Sequence, residues 1–280
     1  WLLSFDFPLL DTGVGTAAEA AIAALIAVYA IAAWFNLRIP HTGVEMRPLR
    51  GTPQSSVLGS ALTLLPDFWA CNARLWRDRL GQISLSTTTL FWGAGGNLKF
   101  IVLAWAAVAL GYDTTQASAL TGVVAIGTAA GAVLASMRMR LEVATKVIPL
   151  GIAMGLLLIL MVFISNIWVA IPFLIVLGGL GGFLVVPMNA LLQHRGHNLM
   201  GSGRSIAVQN FNEQAAILGL GAFYSLSLKL GLSVFGAITV FGVVVAGTMW
   251  LIRRWHCYNC RHHTEEIEHL LQIARQDTHR

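Results

Sequence analysis

Apolar and polar positions alternate along this chain in long blocks, not with the short period of a soluble helix or strand. Blocks of about twenty apolar residues, enough to cross a ~30 Å hydrocarbon layer as helix, fall near 16–37, 83–110, 115–136, 147–165, 168–192, 203–228 and 232–252. The first ends at Trp34, with Arg38 and Pro40 just past it. Residues 1–15 are apolar but broken by Asp6, Pro8 and Asp11, and read as the end of one span plus a loop. The chain opens on Trp1 with no basic leader or small-residue cleavage site before it, so it reads as part of a longer protein.

Between the first two spans lies the longest polar connection, 38–81. Within it, VLGSALTLLPDFWACNARLWRDRL mixes Leu, Phe and Trp with Arg. It is too charged to span. An interfacial amphipathic helix, in two pieces if broken at Pro66, and a solvated linker packed on the helix ends both fit. The other connections are short: Gly111 to Asp113, Arg138 to Lys146, Ser165-Asn166, His194 to Ser202, and Lys229 to Leu232. The tail, 253–280, ends in TEEIEHLLQIARQ, an amphipathic helix.

Composition agrees with the blocks. The chain is 56% hydrophobic and 11% charged, with mean hydropathy +0.70, where a soluble domain would carry roughly 25% charged residues. The expected fold is therefore all-α, a polytopic membrane helix bundle. The net charge of +5 reports topology, not a nucleic-acid partner. Numbering the loops alternately puts Arg38, Arg47, Arg50, Arg74, Arg77, Arg79, Arg138, Arg140, Lys146, Arg195, Arg204, Arg253 and Arg254 on one side. Only Lys229 falls on the other. The basic side is expected to be cytoplasmic, and the C-terminus with it. Cys71, Cys257 and Cys260 provide no disulfide framework.

Polar residues inside apolar blocks carry the candidate chemistry. Glu213 sits ~15 Å into its span at helical rise, near the bilayer midplane. Gln209 at i−4 and Asn210 at i−3 are expected on its face. A charge at that depth costs roughly 2.5–3.5 kcal/mol on insertion scales. Two readings stay open: a hydrogen-bonded knot between helices, or a group lining a cavity and coupled to conformational change. Lys99 follows the cluster Gly93-Ala94-Gly95-Gly96-Asn97, which predicts unwound or kinked helix where backbone approaches a ligand. Thr88, Trp92, Gly95 and Lys99 share a face by spacing. Asn97, Trp92 and Asn189 join Lys99 as candidate substrate contacts, with snorkelling of the ammonium to the interface as the structural alternative.

Gly201-Ser202-Gly203-Arg204 opens a helix, with Ser202 as expected N-cap; the helix N-terminus with Arg204 is the alternative reading, a place for a phosphate or a phospholipid headgroup. Asn189 and Gln193 line the same mouth at i, i+4. Gln193, Arg204, Gln209, Asn210 and Glu213 form a candidate gating or structural cluster. Cys257, Cys260 and His262 are weak metal candidates whose spacing matches no standard zinc site, so no metal or other cofactor is expected. No nucleophile–base pair and no ATPase-type phosphate loop is present, so no enzyme activity is expected.

A basic central loop followed by six spans, with the C-terminus inside, resembles the second half of a major facilitator superfamily transporter. There, 16–37 would be helix six and 83–252 helices seven to twelve. The likeness becomes specific in Pro187-Met-Asn189-Ala-Leu-Leu-Gln193-His-Arg195-Gly196, then Gly201-Ser-Gly203, then Ile206-Ala-Val-Gln209-Asn210 and Glu213. These residues, with Leu90-Phe-Trp-Gly-Ala-Gly95, Lys99 and Leu75-Trp-Arg77, resemble the lysophospholipid transporter (LplT) family.

The resemblance implies a domain order: a periplasmic stub and helix six (1–37), a cytoplasmic loop (38–81), a six-helix transmembrane domain (82–252) and a cytoplasmic tail (253–280). It implies a flippase of the bacterial inner membrane. Its substrate would be lysophosphatidylethanolamine or lysophosphatidylglycerol, moved from outer to inner leaflet. The functional partner would be an acyltransferase/acyl-carrier-protein synthetase that re-acylates the lipid. Lys99 stands where the family carries Arg, and would meet the substrate phosphate with the same charge but without the guanidinium fork. The superfamily's basic loop motif is degenerate here, with Arg138 and Arg140 but no aspartate. A proton-coupled facilitator exporting drugs or solutes, a membrane-embedded acyltransferase and a non-transporting assembly factor are the other readings.

Overall fold

The computed structural model describes residues 17–39 and 64–277, and among these there is no strand. The chain divides into two units, residues 1–55 and 56–280. In the first, helix α1 (Ala17–Asn36) is 20 residues long, about the thickness of a hydrocarbon layer. Ile22, Leu25, Ile26, Val28, Tyr29, Ile31 and Phe35 make its surface apolar all round, as in a helix that spans a membrane. Near its end the Arg38 guanidinium lies 4.0 Å over the Trp34 ring.

The second unit contains α2 (Leu65–Arg77), α3 (Gly81–Ala109), α4 (Thr114–Arg138), α5 (Ile148–Met161), α6 (Ile167–Met200), α7 (Ser202–Lys229), α8 (Val234–His262) and α9 (Thr264–Asp277). A 3-10 turn, Leu141–Val147, leads into α5. The turns before α4, α6 and α8 are short, and side chains cap the helices that follow. Asp113 accepts from Gln116 N at 2.8 Å in a reciprocal capping box. Asn166 accepts from Trp168 N and Ser233 from Gly236 N. Each cap satisfies an orphan N–H that lipid could not.

Among the described residues, six helical stretches are long and apolar enough to cross a membrane: α1, α3, α4, the 3-10 turn with α5, α6 and α8. Helix α7 is long enough, at 28 residues, but its amides and Glu213 keep it below the hydropathy of the rest. The expected amphipathic helix is α2. Cys71, Asn72 and Leu75 are its buried face, and Pro66 sits in its first turn, where a missing N–H costs nothing. The segment preceding it, 57–63, lies outside the described residues, as do 1–16 and 40–56.

Four expectations change. The glycine cluster does not unwind α3, which runs unbroken from Gly81 to Ala109. The connection expected at Arg138–Lys146 is largely the 3-10 turn. The basic turn expected at His194–Ser202 is helical to Met200, and the reversal is made at Gly201 with φ +86°, a conformation that suits glycine. Ser202 therefore does not cap α7; its hydroxyl bonds His197 Nδ1 at 2.8 Å. Finally, α8 does not stop at residue 252 but continues to His262.

Helices α3 to α8 pair as α3 with α7, α4 with α6, and α5 with α8, while α3 and α6 also touch. Exchanging the first three helices for the last three leaves that pattern unchanged. Each half has three helices, so the second half enters from the opposite end of the bundle. The arrangement is an inverted three-plus-three repeat.

Small residues close two of the pairs. On α4, a Cβ at Gly127 would lie 2.3 Å from Ile175 O, and one at Gly131 would lie 2.0 Å from Gly179 O of α6. Gly155 on α5 meets the Ala246 backbone of α8 in the same way. Such backbone approach is how helices gain dispersion contact where lipid removes the hydrophobic drive.

One end of the unit collects the charge. Arg195 of α6 forks onto Asp78, Nε to Oδ1 at 3.1 Å and Nη2 to Oδ2 at 2.5 Å. Arg204 pairs with Asp67 at 2.8 Å, Arg79 with Glu266, and both Arg140 and Arg275 with Glu142. These pairs bring the starts of α3, α5 and α7 and the end of α6 to one level, as the alternation of loops predicts. Helix α9 packs there through Ile267 and Leu270, against Leu80, Ala144 and Leu191.

Candidate functional site

Helices α3 and α7 meet along the glycine cluster. A Cβ at Gly93 would touch Ala216 and Leu220, and one at Gly96 would touch Ile217. The glycines thus make room for α7 and do not bend α3. Asn97 continues the seam. It is buried, and its Nδ2 donates to Gly93 O at 2.8 Å and to Ile217 O at 3.0 Å. The first bond lies within α3 and the second crosses to α7, so the amide clasps the two helices. This gives Asn97 a structural task that its spacing alone did not reveal.

Two cavities flank the seam. The larger, about 620 Å³, lies between α3 and α7 and is lined by Asn97, Phe100, Ile217, Gly221, Tyr224 and Ser225 among others. The Tyr224 hydroxyl is buried without a hydrogen-bond partner among the described residues. The smaller, about 160 Å³, lies between α3 and α4 and is lined by Gly95, Lys99, Val102, Thr121 and Val124 among others. Lys99 and Gly95 share this wall as their spacing predicts. Lys99 is exposed, no described carboxylate forms an ion pair with it, and its ammonium lies 4.9 Å from the Phe100 ring centroid. Phe100 lines the other cavity. The Lys99–Phe100 pair therefore separates a cationic recess from a largely apolar one.

The second polar group lies between α6 and α7. Gln209 Nε2 donates to Asn189 Oδ1 at 3.1 Å and to Glu213 Oε1 at 2.8 Å. Gln209 and Glu213 are both buried, and no described basic group forms an ion pair with Glu213. Asn210 departs from expectation. It turns to the exposed side of α7 with Gln214, because a residue at i−3 is displaced from the i−4 position that the knot occupies. Lys99 and Glu213 are not brought together, since Lys99 faces α4 and Glu213 faces α6. Trp92 and Gln193 are exposed, and Arg204 is held by Asp67 at the charged end. The site residues thus divide into a clasp (Asn97), a knot (Asn189, Gln209, Glu213) and an open face (Trp92, Lys99, Gln193, Asn210).

The sequence is similar to known transporters. It is 38% identical over 239 residues to the lysophospholipid transporter LplT of Serratia proteamaculans (strain 568), a match covering 84% of this chain and 58% of that protein. The lysophospholipid transporter LplT of Yersinia pestis (strain Pestoides F) is 39% identical over 213 residues, 76% of this chain and 50% of its own length. Over most of its own length this chain is similar to these lysophospholipid transporter (LplT) proteins. It spans about half the length of the curated relatives it matches. No protein-family model and no solved structure matches it. Its long apolar helices and its likeness to transporters make the chain a multi-pass membrane protein.

Other polar contacts of this chain escaped the sequence. Asp78 is nearly buried with Arg195 and also accepts from Gly81 N at 2.7 Å. One carboxylate therefore both starts α3 and anchors the end of α6. Asn212 donates to Asn72 Oδ1 at 2.9 Å, tying α2 to α7. Nothing in the spacing signals either pair, because the partners lie more than a hundred residues apart. Cys257, Cys260 and His262 all lie on α8. The His262 ring stacks on Tyr258, and its Nδ1 lies 3.0 Å from Tyr258 O. Among the described residues, no three His, Cys, Asp or Glu side chains converge as metal ligands.

Proposed function

We propose that this chain is the C-terminal six-helix half, with one preceding helix, of a lysophospholipid transporter of the major facilitator type. It carries lysophosphatidylethanolamine and lysophosphatidylglycerol from the outer to the inner leaflet of the bacterial inner membrane. The basic end faces the cytoplasm, and the C-terminus with it. An acyltransferase/acyl-carrier-protein synthetase consumes the delivered lysolipid there. The protein moves its substrate without chemical change and is not itself an enzyme.

One observation carries this reading. Helices α3 and α7 expose Lys99, Asn210 and Gln214 at membrane depth, where hydrocarbon satisfies no donor or acceptor. Polar groups at that depth belong in a hydrated cleft, and clefts of this superfamily lie between two six-helix halves. Lys99 meets the phosphate from the α3 wall. Asn210 and Gln214 line the cleft from the neighbouring α7, with the Asn189–Gln209–Glu213 knot fixing the orientation of α7 behind them. The single acyl chain stays in or near lipid, and access alternates as the two halves rock.

The test is uptake of lysophosphatidylethanolamine into spheroplasts expressing the complete gene. Asn210→Leu/Gln214→Leu should reduce uptake at least about tenfold, the loss of one or two good hydrogen bonds, with protein level unchanged. Wild-type uptake by that variant would sink the cleft assignment.

A further inference from the structure

Helix α8 carries a feature that the transport reading does not use. From Val234 to Ile252 it is almost wholly apolar, and those nineteen residues rise ~28 Å, about one hydrocarbon thickness. It then runs on to His262 without a break. This extension rises ~15 Å more, through headgroup depth. Along its outer side a groove of about 360 Å³ is lined by Arg253, Arg254 and Arg261 between Trp250 and Tyr258. Cys257 lies within it, and no Asp or Glu lines it. The residues fall at i, i+3, i+4, i+7, i+8 and i+11, one stripe of a helix.

The contrast with other arginines at the same end is informative. Arg79, Arg140, Arg195, Arg204 and Arg275 each meet a carboxylate. Arg253, Arg254 and Arg261 are exposed and form no ion pair with any described residue. The Arg254 guanidinium lies 5.1 Å from the Trp250 ring centroid, which holds it at the level of that ring. Trp and Tyr prefer the headgroup layer, where one edge is wet and the other apolar. The inner side of the extension is occupied: Asn259 is fully buried, and α9 packs on α8.

We propose that this groove binds the headgroup of an anionic phospholipid, such as phosphatidylglycerol, from the leaflet at the basic end of the bundle. The three guanidiniums supply paired donors for the phosphate oxygens. Trp250 and Tyr258 flank the glycerol region, and the acyl chains follow the apolar surface of α8 into the bilayer. The lipid is a bound partner, not the transported substrate, and the inference stands whether or not the chain moves lysolipid.

Native mass spectrometry of the full chain in detergent, titrated with phosphatidylglycerol or phosphatidylcholine, tests this. The wild type should retain phosphatidylglycerol at least about tenfold better, and R253Q/R254Q/R261Q should lose roughly fivefold per arginine removed. R77Q/R138Q, which removes charge elsewhere on the same end, should bind as the wild type. Equal binding of the two lipids, unchanged binding by the triple variant, or equal loss in the control would overturn the proposal.

A second readout needs no arginine variant. Maleimide labelling of Cys257, read by peptide mapping, should slow with phosphatidylglycerol but not with phosphatidylcholine or inorganic phosphate. Protection by inorganic phosphate alone would make the groove a simple anion site, and protection by neither lipid would exclude a headgroup there. Either result contradicts the assignment.

Discussion

Two helix pairs of the inverted repeat occupy equivalent places and are built differently. In the α4–α6 pair, Gly127, Gly131, Gly178 and Gly182 bring backbone against backbone, with built Cβ atoms 2.0–2.3 Å from carbonyl oxygens of the other helix. The α3–α7 pair also uses glycines, but against side chains. A Cβ at Gly93 would meet Leu220 and Ala216, and one at Gly96 would meet Ile217 at 3.1 Å. An amide clasp holds this second seam, and a cavity of about 620 Å³ opens beside it. The first seam has no slack, and the second does. On the transport proposed above, the first seam would serve as a rigid body and the second as a wall that adjusts to its load.

Gly131→Leu breaks the comparison most severely. The added side chain meets the Gly179 carbonyl, which cannot move without parting the helices. The cost exceeds the roughly 1–3 kcal/mol of ordinary overpacking, and size-exclusion chromatography in detergent should show no monodisperse protein. Arg195→Ala comes next. It leaves Asp78 charged and nearly buried, a loss of about 3–5 kcal/mol that thermal unfolding in detergent would read. A shift of less than a few degrees would mean that the charged end does not brace either seam.

Asn97→Ala sharpens the account of the second seam. Losing the bond to Ile217 O should cost about 1 kcal/mol, a small shift in the same melt. Gly95→Ala is the mildest. A Cβ there meets nothing within 4 Å, so stability should change by less than about 0.5 kcal/mol. Gly95 lines the α3–α4 recess, outside both seams, so destabilisation as large as that of Gly131→Leu would mean that backbone contact at the α4–α6 seam is not what sets the cost.

Much of the fold was legible because membrane helices must be long, apolar and internally hydrogen-bonded. The short turns near Asp113, Asn166 and Lys229 stand out as brief breaks between apolar blocks. The end of α6 did not. His194, Arg195 and His197 look like loop residues by polarity, yet Arg195 is a buried half of an ion pair whose other half, Asp78, sits 117 positions earlier. Long-range pairing overrides local polarity, and a single sequence does not display it. Gly93 and Gly96 failed for a related reason. Spacing shows that backbone is bare there, but not whether a ligand or another helix fills the space. The Gln209–Glu213 pair was legible, being i, i+4 on one helix. Its third member, Asn189, lay close enough across the Gly201 turn to be suspected of sharing the mouth, though not of bonding Gln209.

The central claim is that Lys99, exposed on α3 without a carboxylate ion pair, is the contact for the substrate phosphate. Transport of lysophosphatidylethanolamine by Lys99→Ala, beside Lys99→Arg, in spheroplasts expressing equal amounts of the complete protein tests it most directly. The expected result is a loss of at least about tenfold for Lys99→Ala, as for removal of a charge-assisted hydrogen bond, with most activity kept by Lys99→Arg. Wild-type transport by Lys99→Ala would contradict the claim and leave the ammonium as a group that merely snorkels to the interface.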